Sequence, residues 1–190
     1  MFYMVIFNVG KAMTGYELRL WRSGQYWSRY AHWRHEDAAE QLGVSLRSYV
    51  SYEKNGPPHM VVLGIKTLSL RLMLPELEKL SVPHVITRLR ILAGVSDVAK
   101  SNVSKDEIQM PFYGLKPWRT SLGWTQKETA EKLKVCLRTY RDYERNTVPR
   151  TVMLAIQALT LAEMLPHLSL CRREMLFQTL HLILAIEAVC

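Results

Sequence analysis

The chain has 190 residues, 48% hydrophobic and 22% charged, a profile that excludes a disordered, charge-rich polypeptide and allows one ordinary core or two small ones. Its 25 Lys and Arg against 17 Asp and Glu leave a net charge of +8, and a positive surface draws polyanions. The excess is shared, with 13 basic against 8 acidic residues in 1–100 and 12 against 9 in 101–190, so neither half is a basic tail.

From the N-terminus, the apolar run Met1–Val9 lacks a basic leader and falls short of the roughly 20 residues of a membrane span. No signal peptide and no membrane partner are expected. Met13 opens the first recognisable segment, MTGYELRLWR, and is a plausible alternative start, which makes 1–12 an N-terminal extension. Cys136, Cys171 and Cys190 form no CxxC pair and lie far from any His cluster of zinc spacing. They predict neither a metal site nor a disulfide framework, and fit a reducing cytoplasm.

The chain repeats itself. Sliding Trp33–Leu77 onto Trp124–Leu168, an offset of 91, matches about 20 of 45 positions without a gap. Among them are Trp33/Trp124, Ala39/Ala130, Leu42/Leu133, Val44/Val135, Arg47/Arg138, Tyr49/Tyr140, Glu53/Glu144 and Leu63/Leu154. Upstream, MTGYELRLWR pairs with MPFYGLKPWR at an offset of 97, so copy one carries six extra residues near Gln25–Tyr30. The boundaries read as a first domain over 13–95, a linker over 96–109 and a second domain over 110–190.

In copy two, a first helix ends at Trp118-Arg119. Thr125 with Glu128 makes a capping box for a second helix from Gln126 to about Leu133. A third helix runs from about Leu137 to Arg145. Ala130 is small because two short helices approach closely there, and Val135 plugs the turn between them. Tyr140 and Tyr143, at helical spacing, read as core rather than as a base-stacking platform. The opposite face shows Arg138, Thr139, Arg141 and Asp142, either a solvated charged face or a set that reaches base edges and phosphates in a major groove.

Copy one repeats this with Ala39, Val44 and Tyr49. It places Gly43 at the turn, where a left-handed backbone costs Gly little, while copy two has Lys134 there, at some cost in stability. Ser45 is a good N-cap for the third helix of copy one and Cys136 a poor one for copy two. Both copies end in apolar runs at helical spacing, Val85 to Ala93 and Met175 to Leu184. The second run is apolar nearly all round and has to be buried somewhere.

The segment Thr125–Tyr140, TQKETAEKLKVCLRTY, resembles the helix-turn-helix of the phage lambda Cro and repressor family, also called the xenobiotic-response-element type. The resemblance covers 110–168, and 13–77 with the insert. It implies an all-α fold of two tandem helix-turn-helix domains, each a small bundle of about five helices. In that family the Gln opening the second helix anchors to a DNA phosphate, which points to Gln126; its counterpart His35 keeps a donor but departs from the pattern. The family's base-facing positions fall on Leu137, Arg138 and Asp142, with Thr139 and Arg141 near the backbone. The corresponding residues of copy one are Leu46, Arg47, Ser48, Val50 and Ser51, a less polar set. The family's ion pair between the first and third helices has matching spacing in Arg119 and Glu144, whereas the insert upsets the spacing of Arg22 and Glu53.

These residues lead to the expectation of a sequence-specific regulator of double-stranded DNA, a repressor of phage, plasmid or other mobile-element type, with no cofactor. A homodimer through the C-terminal helix is a further expectation. The alternative is a protein-interaction module, an antitoxin or co-regulator that holds a partner with Leu176–Val189. An enzyme is the weakest class: His32, His35, Glu36 and Asp37 lack the helix-spaced HExxH pair and read as a solvated helix start. No catalytic triad or phosphate-binding glycine loop is evident.

Overall fold

A computed structural model of the chain describes residues 12–24, 33–95 and 114–185. The described residues form ten α-helices and no strand. The all-α expectation is met. The N-terminal extension up to Lys11, the extra residues near Gln25–Tyr30 and the 96–109 linker lie outside the described residues.

Copy one supplies α1 (Gly15–Arg22), α2 (His35–Leu42), α3 (Leu46–Asn55), α4 (His59–Leu77) and α5 (Val82–Ala93). Copy two supplies α6 (Leu115–Ser121), α7 (Gln126–Leu133), α8 (Leu137–Arg145), α9 (Arg150–Leu168) and α10 (Arg173–Leu184). Local chemistry sets these limits. Thr14 and Thr125 cap α1 and α7 through full capping boxes with Glu17 and Glu128. Gly43 and Lys134 end α2 and α7 in the left-handed region, at φ 67° and 53°.

The long helices α4 and α9 are apolar around most of their circumference, and a helix of that kind is stable in water only when neighbours cover it. They cover each other. Over α9, residues Thr151 to Ala158 are all buried. By length and composition α9 is also the one helix among the described residues that could cross a membrane, but 72% of its apolar window is buried inside this fold.

The two copies share their cores. The largest apolar cluster joins Leu70, Met73 and Leu77 of α4 and Leu89 and Leu92 of α5 with Leu161, Met164 and Leu168 of α9 and Leu176, Leu180 and Ile183 of α10. Side chains are also exchanged between the smaller clusters. Leu154 of α9 sits with Ala39, Leu42 and Tyr49, and its repeat counterpart Leu63 of α4 sits with Ala130, Leu133 and Tyr140. Small residues let the helices approach there: a Cβ on Gly64 would lie 3.4 Å from Leu154 Cβ, while Ala155, its counterpart, packs in the cluster of Leu63.

Polar groups follow the same exchange. Arg150 Nε donates to the Gln41 carbonyl at 2.9 Å, and its counterpart His59 lies against the backbone of Lys132, the counterpart of Gln41. Burial, with the charges of Lys134 and Lys66, holds His59 below its ordinary pKa. Thr151 donates to the Leu42 carbonyl at 2.7 Å and Thr67 to the Leu154 carbonyl at 2.8 Å. Lys66 Nζ donates to Ala93 O at 2.9 Å and Arg71 to Leu184 O at 3.0 Å, so each copy's closing helix has a cation at its C-terminus.

The C-terminal run departs from its expectation. Leu176, Leu180 and Ile183 of α10 are buried, but Met175 and Leu182 are 55% and 51% exposed. Helix α10 lies on one side of the core, so only one of its faces meets α9; residues 186–190 lie outside the described part.

Candidate nucleic-acid interface

Helices α7 and α8 are joined through Lys134, Val135 and Cys136, and α2 and α3 through Gly43, Val44 and Ser45. Ala39 and Ala130 are buried at the close approach, with Val44 and Val135 partly buried beneath the turns. Tyr49 and Tyr140 are fully buried, which places them in the core, as the spacing predicts. Tyr143 is half-buried against the cluster around Leu115 and Trp118.

A buried carboxylate orients each pair. In copy two, Arg119 Nε donates to Glu144 Oε1 at 2.7 Å, and an Arg119 terminal nitrogen donates to the Trp124 carbonyl at 2.6 Å. Gln126 Nε2 donates to Glu144 Oε2 at 2.6 Å, and Arg141 Nε donates to Gln126 Oε1 at 3.2 Å. A continuous chain of hydrogen bonds therefore runs from the first helix of the copy, through the start of α7, to the exposed Arg141 of α8. Burial pushes the Glu144 pKa up, but hydrogen bonds from Arg119 and Gln126 outweigh it and hold the carboxyl below its ordinary value.

Copy one builds the same centre. Arg22 Nε donates to Glu53 Oε1 at 2.6 Å and Arg22 reaches the Trp33 carbonyl at 3.1 Å. The expectation that the insert upsets this pair is corrected. The extra residues fall between α1 and α2, and a loop of different length leaves the helices that carry Arg22 and Glu53 in register. Counting residues along a loop does not measure a distance across the fold. His35 takes the place of Gln126, with Nε2 at 3.2 Å from Glu53 Oε2, and Arg19 approaches the same oxygen at 3.6 Å. Burial raises Glu53, and the hydrogen bond and charge of Arg22, then those of His35, bring it below its ordinary value.

Tryptophans fix the platforms. Trp21 and Trp33 meet edge to face with centroids 5.2 Å apart, and Trp118 and Trp124 do so at 5.5 Å. Trp21 Nε1 donates to Ser69 Oγ at 3.1 Å, and Trp118 Nε1 to Thr160 Oγ1 at 2.9 Å, repeat counterparts on α4 and α9. Lys132 Nζ sits 4.3 Å from the centroid of the Trp124 ring and 3.0 Å from Glu163 Oε1.

Arg138, Arg141 and Asp142 are exposed on α8, Leu137 and Gln126 half-buried. Thr139 is half-buried, and its hydroxyl lies 3.0 Å from Cys136 Sγ. Cys136 is a better cap than its residue type suggests: its sulfur accepts from Thr139 N at 3.4 Å, and the hydrogen bonds to Thr139 lower the thiol pKa. On α3, Arg47 and Ser51 are exposed, Leu46 is 42% exposed, and Val50 is half-buried. Ser48 is half-buried, and the Ser45 cap holds its backbone N–H at 3.1 Å.

Arg145, which the motif did not nominate, extends the face: Arg138, Arg141 and Arg145 stand at steps of three and four along α8 and are all exposed. The signal was in the spacing. Copy one has Arg47, Val50 and Lys54 at those positions, so its exposed helix is basic at both ends and plain in the middle. Since Glu53 and Glu144 are consumed by buried pairs, cations outnumber anions on both exposed faces.

Among the described residues no group of three or more His, Cys, Asp or Glu gathers to hold a metal ion. No protein family, curated protein or solved structure matches this chain.

Proposed function

We propose that the chain is a sequence-specific regulator of double-stranded DNA, a repressor of the phage, plasmid or mobile-element type. It folds as tandem helix-turn-helix units, with α3 and α8 as the two recognition helices. The observation that carries this reading is the pair of exposed basic helix faces, Arg138–Arg141–Arg145 and Arg47–Lys54, each seated on an equivalent buried Arg–Glu pair. Arginine is the commonest partner of guanine in a major groove. The Gln126 amide spends one hydrogen on Glu144 and keeps a second for a phosphate.

The test is fluorescence anisotropy with duplex DNA over a salt series. Phosphate contacts predict binding that weakens steeply as salt rises. Arg138→Ala is expected to relax sequence preference at a cost of about 1–3 kcal/mol. A variant with an unchanged ratio of specific to random binding would remove Arg138 from base recognition; no binding at low salt would remove the DNA reading.

A second reading is an antitoxin-like or co-regulator module. The exposed Met175 and Leu182 on α10 favour it, and the commitment of Leu176, Leu180 and Ile183 to the internal core limits the surface left for a partner.

A further inference from the structure

The geometry points to a single chain that reads one DNA site as an inverted repeat with two unlike halves, always in the same polarity. This rests on the DNA-binding proposal above and adds the symmetry and stoichiometry of the site.

Along α4 and α9 the side-chain exchanges between copies are reciprocal. Leu154 enters the cluster of Leu42 and Tyr49 as Leu63 enters that of Leu133 and Tyr140. Arg150 binds the backbone at Gln41, and its counterpart His59 faces the backbone of Lys132. Gly64 meets Leu154 as Ala155 meets Leu63. Reciprocal use of one patch marks an isologous, two-fold pairing, whereas copies stacked head to tail would bring two different patches together.

The same relation extends to the exposed helices. Each is fastened to its long helix through the first helix of its copy by matching devices: Arg22 to Glu53 and Arg119 to Glu144 join it to that first helix, and Trp21 to Ser69 and Trp118 to Thr160 join the first helix to the long one. The axis that relates α4 to α9 therefore relates α3 to α8. Duplex DNA has two-fold axes across its helix, so two reading helices related in this way meet half-sites that run in opposite directions.

The two faces are not equal. Leu46-Arg47 matches Leu137-Arg138, so each half-site carries a common base pair opposite an arginine. Beyond it, Ser48, Val50 and Ser51 stand where copy two has Thr139, Arg141 and Asp142. Val50 suits a thymine methyl, while Arg141 suits guanine or a phosphate and Asp142 accepts from cytosine. Two identical chains cannot tell one orientation of a site from the other; two unlike heads in one chain can. The surface that pairs the heads is filled internally, so one chain suffices per site.

The experiment is selection of bound sequences from random duplex DNA with the full chain, repeated with Arg47→Ala and Arg138→Ala, and sedimentation of the wild-type complex. Both arginines are exposed, and thermal melts check that the variants fold. The expected result is an inverted repeat with unlike halves and one chain per duplex. Each variant then loses about tenfold in preference in one half only, a different half for each. A direct repeat, a lone half-site, or two chains on a symmetric site in which each variant degrades both halves would overturn the inference while leaving DNA binding intact. Failure to enrich any sequence would overturn both.

Discussion

At the scale of single residues, the buried carboxylates hold the candidate interface together. Glu144 has a side chain 6% exposed and joins Arg119, Gln126 and, through Gln126, Arg141. Removing one member of such a pair leaves a charge without its partner in a poorly solvated place, so Glu144→Gln is expected to cost about 3 kcal/mol. Its pH dependence has a definite sign. An acid whose folded pKa is depressed stabilises the fold above its unfolded pKa, and that contribution is lost as pH falls through the folded value. Both Glu53 and Glu144 are depressed, so the thermal midpoint is expected to fall as pH drops below about the ordinary 4.5. Melts followed by circular dichroism should show a shallower acid decline in Glu144→Gln than in wild type. An identical decline would mean that Glu144 titrates normally in the fold.

At the scale of elements, the turn between the paired helices is where the two copies differ most usefully. Lys134 adopts φ 53°, the one positive φ outside glycine among the described residues, at the position where copy one has Gly43. A side chain in the left-handed region costs on the order of 1 kcal/mol relative to glycine, so Lys134→Gly is expected to raise stability by about that much. The reverse change is worse than its backbone cost, because a Cβ on Gly43 would lie 2.5 Å from Arg150 Cβ. Denaturant unfolding of Lys134→Gly and Gly43→Ala measures both, and a neutral Gly43→Ala would contradict the packing described. These elements were the most legible part of the sequence. The Thr125–Glu128 box and the left-handed turn mark the limits of α7, and the periodicity of Leu137, Tyr140 and Tyr143 marks α8. Local signals of this kind act within a few residues and survive in a single sequence. The Arg22–Glu53 pair is not legible in the sequence because its distance depends on the fold rather than on the intervening count. The cap at Cys136 is not legible either, because residue preference describes an average site, and here Thr139 stands close enough to bond the sulfur.

At the scale of the whole molecule, the decisive feature is that α4 and α9 cover each other and exchange Leu63 and Leu154 between the cores of the two copies. The repeat predicts two similar units and the apolar circumference of the long helices predicts burial, but neither states that each helix is buried against its own counterpart. Self-complementarity is a property of two surfaces in three dimensions, and the spacing of apolar residues along one helix does not record it. The consequence for function is geometric. Pairing along α4 and α9 leaves α3 and α8 exposed on two equivalent platforms and makes a single chain the unit that presents both. The most direct measurement is the amide NMR spectrum of the chain titrated with duplex DNA at low salt. The expected shifts concentrate in Ser45–Lys54 and Cys136–Arg145 together, with α10 unmoved. Shifts confined to α10, or no shifts at all, would contradict DNA binding through α3 and α8.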